Sequence, residues 1–193
     1  MNPKTLFLIV IIFISGCKKK ENSESGPSGV TNSSITPLKN GNTWTYRDIT
    51  LPQQDTMNLT HWISGDTMIG SELWFREYVA SDSSNYIYTK NKSDGQHYYI
   101  QPDDIDYLIY KYPATVGDIY YVDNGLDTLQ VLNTDTSITV PAGTFSCYEY
   151  KEFSLSAYYA LYFVSPGNGF IKSMNFSNGN LHSTTELISY HLE

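Results

Sequence analysis

Three aspartates within four residues, Asp103, Asp104 and Asp106 in Gln101-Pro102-Asp103-Asp104-Ile105-Asp106, form the densest set of reactive side chains in the sequence. Such carboxylates could supply part of the roughly six to eight oxygens that a Ca²⁺ ion takes. Paired, they could serve as the acid and base of glycoside hydrolysis. They lack the Gly and closing Glu of the helix-loop-helix calcium loop, and Pro-Asp-Asp between strands is ordinarily a solvated turn. The turn is the expected role, with a cation site as the weaker candidate. His61, His97, His182 and His191 show no short ligand spacing and read as surface or packing residues. The sequence has no Gly-x-Ser-x-Gly elbow, no phosphate loop ending in Lys-Ser/Thr, no His-Glu-x-x-His and no Cys-x-x-Cys. These absences give no support to nucleophilic, nucleotide-dependent or zinc-dependent catalysis. No catalytic residue, metal or cofactor is expected.

The two cysteines divide by position. Cys17 closes Ile14-Ser15-Gly16-Cys17, which follows one basic residue (Lys4) and an unbroken apolar run from Leu6 to Ile14. This arrangement is a secretory signal over residues 1–16, too short to cross a bilayer core, which needs about 20 residues of helix. Its end resembles a bacterial lipobox, making Cys17 the expected acylated first residue of the mature protein and the membrane the expected partner. Acyl chains anchor because each buried CH₂ contributes about 0.8 kcal/mol. Residues 17–34 are nearly devoid of apolar side chains, so nothing offsets the entropy of ordering them. They read as a tether with a root-mean-square reach of roughly 23 Å. Cys147, in an alternating strand pattern without a neighbouring His or Lys run, reads as a buried small hydrophobe.

Aromatic residues are the other feature with chemical consequences: 17 Tyr, 8 Phe and 3 Trp. Tyr98-Tyr99, Tyr120-Tyr121 and Tyr158-Tyr159 place one ring on each face of a sheet. Inward rings fill a core, whereas outward rings either stiffen an exposed face as cross-strand ladders or line a cleft for an apolar, glycan or peptide ligand. Trp44, Trp62 and Trp74 are the speculative ligand contacts.

The elements that must position these residues are strands. Beyond residue 37 no window sustains helical periodicity, and Tyr, Thr, Ile and Trp dominate. Candidate strands are 43–50, 57–64, 72–80, 85–90, 96–101, 106–111, 118–123, 127–133, 136–140, 144–153, 157–164, 169–176 and 181–191. Ser177-Asn178-Gly179-Asn180 and Ser93-Asp94-Gly95 mark tight hairpins, and Gly65-Asp66, Asn124-Gly125 and Pro166-Gly167 mark further reversals. Residues 35–193 are therefore expected to form a single all-β, antiparallel domain. A curled sheet or open barrel, as in lipocalins and lipid carriers, closes its apolar face, and a two-sheet sandwich is the alternative. Pro37-Leu-Lys-Asn-Gly41-Asn42-Thr-Trp44-Thr-Tyr46 aligns without gaps on Pro113-Ala-Thr-Val-Gly117-Asp118-Ile-Tyr120-Tyr-Val122. A weaker match joins Ile69-Gly70-Ser71 to Ala142-Gly143-Thr144. Two related halves, or one turn used twice, both account for this.

The stretch from Pro37 to Tyr46, Val140-Pro-Ala-Gly-Thr-Phe-Ser-Cys-Tyr148 and Phe163-Val-Ser-Pro-Gly-Asn-Gly-Phe-Ile-Lys172 resemble motifs of small, functionally uncharacterised envelope lipoproteins of the Bacteroidota. The resemblance implies a lipid-anchored protein of the cell envelope, at the outer membrane and facing the periplasm or the surface, with a curved antiparallel sheet. It implies no activity and supplies no catalytic residue.

Charge narrows the partners. Setting aside Lys4, Lys18, Lys19, Lys20, Glu21 and Glu24 from the 12 basic and 20 acidic residues leaves 8 against 18 in the remainder. Such a surface repels nucleic acid, which needs a basic face to displace counterions. The expected function is non-enzymatic binding of a small molecule, glycan or envelope protein through an aromatic-rich β surface. A glycan-active hydrolase or lyase using acidic residues is one alternative, and a structural module of an envelope assembly is the other.

Overall fold

The computed structural model describes residues 34–79, 86–101, 104–122, 127–153 and 157–193. The signal, Cys17 and the tether up to residue 33, together with Asp103 and the Asn124-Gly125 turn, lie outside the described residues. Twelve strands follow one another: β1 (Thr43–Thr50), β2 (Asp55–Ile69), β3 (Glu72–Val79), β4 (Tyr86–Lys92), β5 (Gly95–Ile100), β6 (Ile105–Lys111), β7 (Ile119–Val122), β8 (Asp127–Val140), β9 (Gly143–Phe153), β10 (Tyr158–Ser165), β11 (Gly169–Ser177) and β12 (Asn180–His191). Every pairing is antiparallel. The order β6-β5-β4-β3-β2-β1-β12-β11-β10-β9-β8-β7 makes one sheet, two six-strand meanders joined where β1 meets β12. Curling brings the free edges β6 and β7 towards each other, giving a nearly closed barrel rather than a sandwich.

Alternation along the strands fills the barrel. Trp44 and Tyr46 of β1, Ile63 of β2, Tyr98 of β5, Val131 of β8, Cys147 and Tyr150 of β9, Phe170 and Ile171 of β11 and Leu187 of β12 share one buried cluster. Cys147 is the expected buried hydrophobe.

The up-and-down path gives the barrel two unlike rims. One carries both ends of the described chain: the Glu193 amide donates to Asn42 Oδ1 (2.9 Å). At this rim residues 34–37 turn inward, burying Ile35 and Thr36. Thr36 Oγ1 donates to Gln96 Oε1 (2.7 Å), Asn91 Nδ2 donates to the Thr36 carbonyl (2.6 Å), and the Gly167 amide donates to the Ser34 carbonyl (2.9 Å). The segment plugs that end of the barrel. The β4–β5, β8–β9 and β10–β11 turns lie at the same rim, while the β1–β2 and β11–β12 turns lie at the other.

Two sequence expectations are corrected. Residues 127–133 and 136–140 are one strand, β8, because Asn133 Oδ1 accepts from the amides of Thr134 (2.8 Å) and Asp135 (3.0 Å) and absorbs a bulge without ending the pairing with β9. Gly65-Asp66 is likewise no reversal but a bulge inside β2, where the register against β3 shifts between Ile63 and Asp66. The Asn178-Gly179 hairpin does have the two positive φ angles, 50° and 79°, that its sequence demands.

The aligned segments behave alike. Gly41 and Gly117 have φ of 95° and 93°, a region costly for any residue with a Cβ. Gly41 donates to the Ile63 carbonyl (3.0 Å) and Gly117 to that of Val131 (2.8 Å). Asn42 donates to Lys39 as Asp118 does to Thr115, and the Ile63 and Val131 amides return bonds to Asn42 and Asp118. The same turn therefore introduces β1 and β7. The weaker match falls on the topologically equivalent β2–β3 and β8–β9 hairpins.

Candidate functional site: an aromatic outer surface around a closed polar interior

Inside the barrel, β2 and β3 bring His61 and Glu77 together. His61 Nδ1 lies 3.2 Å from Glu77 Oε1, and neither side chain is exposed at all. Burial lowers the His61 pKa to about 3 and pushes the Glu77 carboxyl well above its ordinary range. The pair therefore holds one proton between its two members. Tyr46 packs edge-on against the imidazole, with ring centroids 5.1 Å apart. On the opposite wall Tyr162 donates its hydroxyl to Glu152, whose pKa burial raises against that hydrogen bond. Tyr46, His61 and Glu77 meet no solvent, whereas Glu152 and Tyr162 are half-buried, and together they form a polar interior. Nothing in the sequence spacing announces the His61–Glu77 pair, because sixteen residues and a bulge separate its members.

The outer face is different. Trp62 of β2 stacks on Tyr78 of β3 (5.2 Å, 9° between planes), and the contacts continue through Tyr86, Tyr88 and Tyr99 to Trp74. This ribbon of six rings crosses β2 to β5. Arg76 lies 5.9 Å above the Tyr86 ring, and Lys92 lies 5.2 Å above Trp74. A second row crosses the other meander, where Tyr121, Thr128, Phe153, Tyr159, Phe176 and Leu181 stand opposite one another from β7 to β12. There Tyr159 and Phe176 are stacked at 4.5 Å, and Lys151 Nζ sits 4.7 Å from the Phe153 ring and 4.5 Å from the Tyr159 ring. Among the described residues four aromatic side chains stand clearly in solvent: Tyr86 (44%), Tyr121 (70%), Phe153 (40%) and Tyr158 (53%). All four occupy strand ends at the rim opposite the plug.

The three tryptophans have three fates. Trp44 is sealed in the core, Trp62 is half-buried on the outer ribbon, and Trp74 points outward yet is covered by Tyr99, Lys90 and Lys92. Of the three aspartates, the described Asp104 and Asp106 have separate partners. Asp104 accepts from Tyr99 OH, whereas Asp106 engages Lys92 and His97. His97 has both ring nitrogens on carboxylates, Asp106 at 2.8 Å and Asp94 at 2.9 Å, leaving neither for a metal. Among the described residues no group of three or more His, Cys, Asp or Glu is placed to hold a metal ion. A cleft of about 290 Å³ beside the plug is lined by Ile35, Asn91, Lys92, Ser93, Tyr112 and Pro113.

No protein-family model and no curated protein matches the chain. Solved structures similar to it include two exported proteins. A "putative lipoprotein" from Parabacteroides distasonis matches at a TM-score of 0.50 and 14% identity, over 82% of this chain and 99% of that one. A "putative exported protein with YmcC-like fold" from Bacteroides fragilis matches at a TM-score of 0.48 and 13% identity, over 81% and 98%. At such identities the likeness to the first is one of fold alone.

Proposed function

We propose that the protein is a lipid-anchored component of the cell envelope that binds another envelope protein, without catalysis, through the aromatic surface at the rim opposite its plug. The observation that carries this reading is the gathering of the exposed aromatics, Tyr86, Tyr121, Phe153 and Tyr158, at that one rim. Tyr, Trp and Arg are the residues from which protein interfaces draw most of their energy. A glycan platform offers flat ring faces, but Trp62 and Tyr78, like Tyr159 and Phe176, spend theirs on each other. The lipid anchor rests on the Ile14-Ser15-Gly16-Cys17 sequence, and the lipoprotein description of the Parabacteroides protein accords with it. The tether would join the barrel at the plugged rim, leaving the aromatic rim directed away from the anchoring membrane.

Photo-crosslinking side chains installed at Tyr86, Tyr121 or Tyr158 in the native host test this reading, with Met68 and Leu73 at the plugged rim as controls. Adducts from the aromatic rim alone are expected. Equal adducts from both rims, or none, would refute it. Cys17→Ala should move the protein into the soluble fraction.

A further inference from the structure

The two aromatic rows hold their cations differently: Arg76, over Tyr86 in the first row, also donates to the Asp66 carbonyl (3.1 Å). At the plugged rim Lys90 and Lys92 pair with Glu72, Lys92 also with Asp106, and Lys111 with Asp118. On the β1–β12 face Arg47 pairs with Glu186. Lys151 has no carboxylate partner among the described residues, although acidic side chains outnumber basic ones more than two to one beyond residue 29. Instead it lies against two rings, Phe153 and Tyr159, and the second of these is itself fixed by stacking on Phe176. A cation held this way is ordered and partly stripped of water, with its charge still available to an anion. Tyr121, the most exposed aromatic of the rim, stands in the same row.

We propose that the Tyr121–Phe153–Tyr159 row with Lys151 at its centre docks an acidic, aromatic-bearing segment of the partner protein. This assignment rests on the preceding reading of the aromatic rim and adds the partner's chemistry to it. The charge requires a carboxylate, and the flanking rings require apolar or aromatic side chains beside it. The chain enters the barrel at the plugged rim, through Thr36 and Ser34, so the body of the barrel stands between a leash on that side and this row, which favours a partner protein over the anchoring membrane.

The full chain carrying Cys17→Ala is titrated with a synthetic glutamate–tyrosine copolymer, with polyglutamate, and with phosphatidylcholine vesicles with and without phosphatidylglycerol. Binding of the copolymer over polyglutamate and over both vesicles is expected. Lys151→Glu should weaken it by about tenfold or more and Tyr121→Ser by severalfold, whereas Lys151→Arg should stay within about twofold of the parent. Circular dichroism and Tm confirm that each variant is folded. Equal binding by the Lys151→Glu variant, equal binding of polyglutamate, preference for vesicles, or no binding of the copolymer each overturn the proposal. Loss on Tyr86→Ser but not on Lys151→Glu would overturn this assignment and leave the aromatic rim standing. Loss of the crosslinks described above would remove both.

Discussion

The barrel meets itself twice, and the two seams are built differently. Where β1 meets β12, backbone pairs with backbone from Thr43 and His191 to Thr50 and Ser183, interrupted by one bulge. Where β6 faces β7, side chains make the junction. Tyr120 OH donates to the Ile109 carbonyl (2.9 Å) and accepts from the Lys111 amide (3.4 Å), while Tyr150 OH donates to the Lys111 carbonyl (2.8 Å). Lys111 and Asp118 add an ion pair at 2.8 Å. One phenol thus gives the β6 edge a donor and an acceptor, the two services a neighbouring strand would provide, and blunts that edge against foreign strands. The same glycine turn leads into both seams, and Trp44 and Tyr120 occupy matching positions after it. An indole N–H only donates, whereas a phenol both donates and accepts. Trp44 accordingly fills the core beside a zipped seam, and Tyr120 bridges an unzipped one. Burial raises the Tyr120 pKa and keeps its hydroxyl able to donate.

Substitution at the matching positions tests this contrast most severely. Trp44→Ala should cost about 3–5 kcal/mol of global stability, as truncation of a buried aromatic does, read as a lower denaturation midpoint. The zipped half should also dominate the pH dependence, through the His61–Glu77 pair beneath Tyr46. Between the ordinary pKa values of 4.5 for Glu77 and 6.5 for His61 the unfolded chain binds one proton at this pair, as the folded pair does, so stability from it is flat. Below pH 4.5 the unfolded chain binds two, and stability should fall with pH until His61 protonates at about 3. Above pH 6.5 the unfolded chain binds none, and stability should fall as pH rises, by about 1.4 kcal/mol per unit. Glu77→Gln should abolish that alkaline decline in pH-dependent thermal unfolding.

Smaller effects belong to the stitched seam. Tyr120→Phe keeps the ring but strands the Lys111 amide and Ile109 carbonyl, costing about 1–3 kcal/mol. Hydrogen exchange should quicken at Lys111 and leave the amides of β1 unchanged; equal quickening at both seams would erase the distinction. Asp118→Asn should change least. Lys111 holds the Asp118 carboxyl below its usual range, so this contribution is present above pH 3.8 and fades as pH falls through the lowered value. With the side chain about a third exposed, its removal should leave the global midpoint unchanged and loosen only the seam.

Much of this architecture was legible in the residues. Alternation located β1 at 43–50, and the Gly41-Asn42 and Gly117-Asp118 steps announced the same turn twice. The failures were local devices that resemble breaks. Thr134-Asp135 looks like a turn until Asn133 is seen satisfying both amides, and Gly65-Asp66 looks like a reversal until β3 pairs on both sides of it. The candidate surface was half legible. Doubled tyrosines predict a ring on each face, and Tyr120-Tyr121 and Tyr158-Tyr159 do split in that way. Which outward rings stay in solvent is set by cross-strand neighbours, as the covered Trp74 shows, and no run of residues along one strand records them. The His61–Glu77 pair was invisible for the same reason.

The bond from the Glu193 amide to Asn42 has a practical corollary. A fluorescent protein or affinity handle appended after residue 193 would emerge at the plugged rim, beside the entry of Ile35 and Thr36 into the barrel. Labels meant to leave the aromatic end unobstructed can go there, whereas probes of that end are better inserted at the Asn178-Gly179 hairpin.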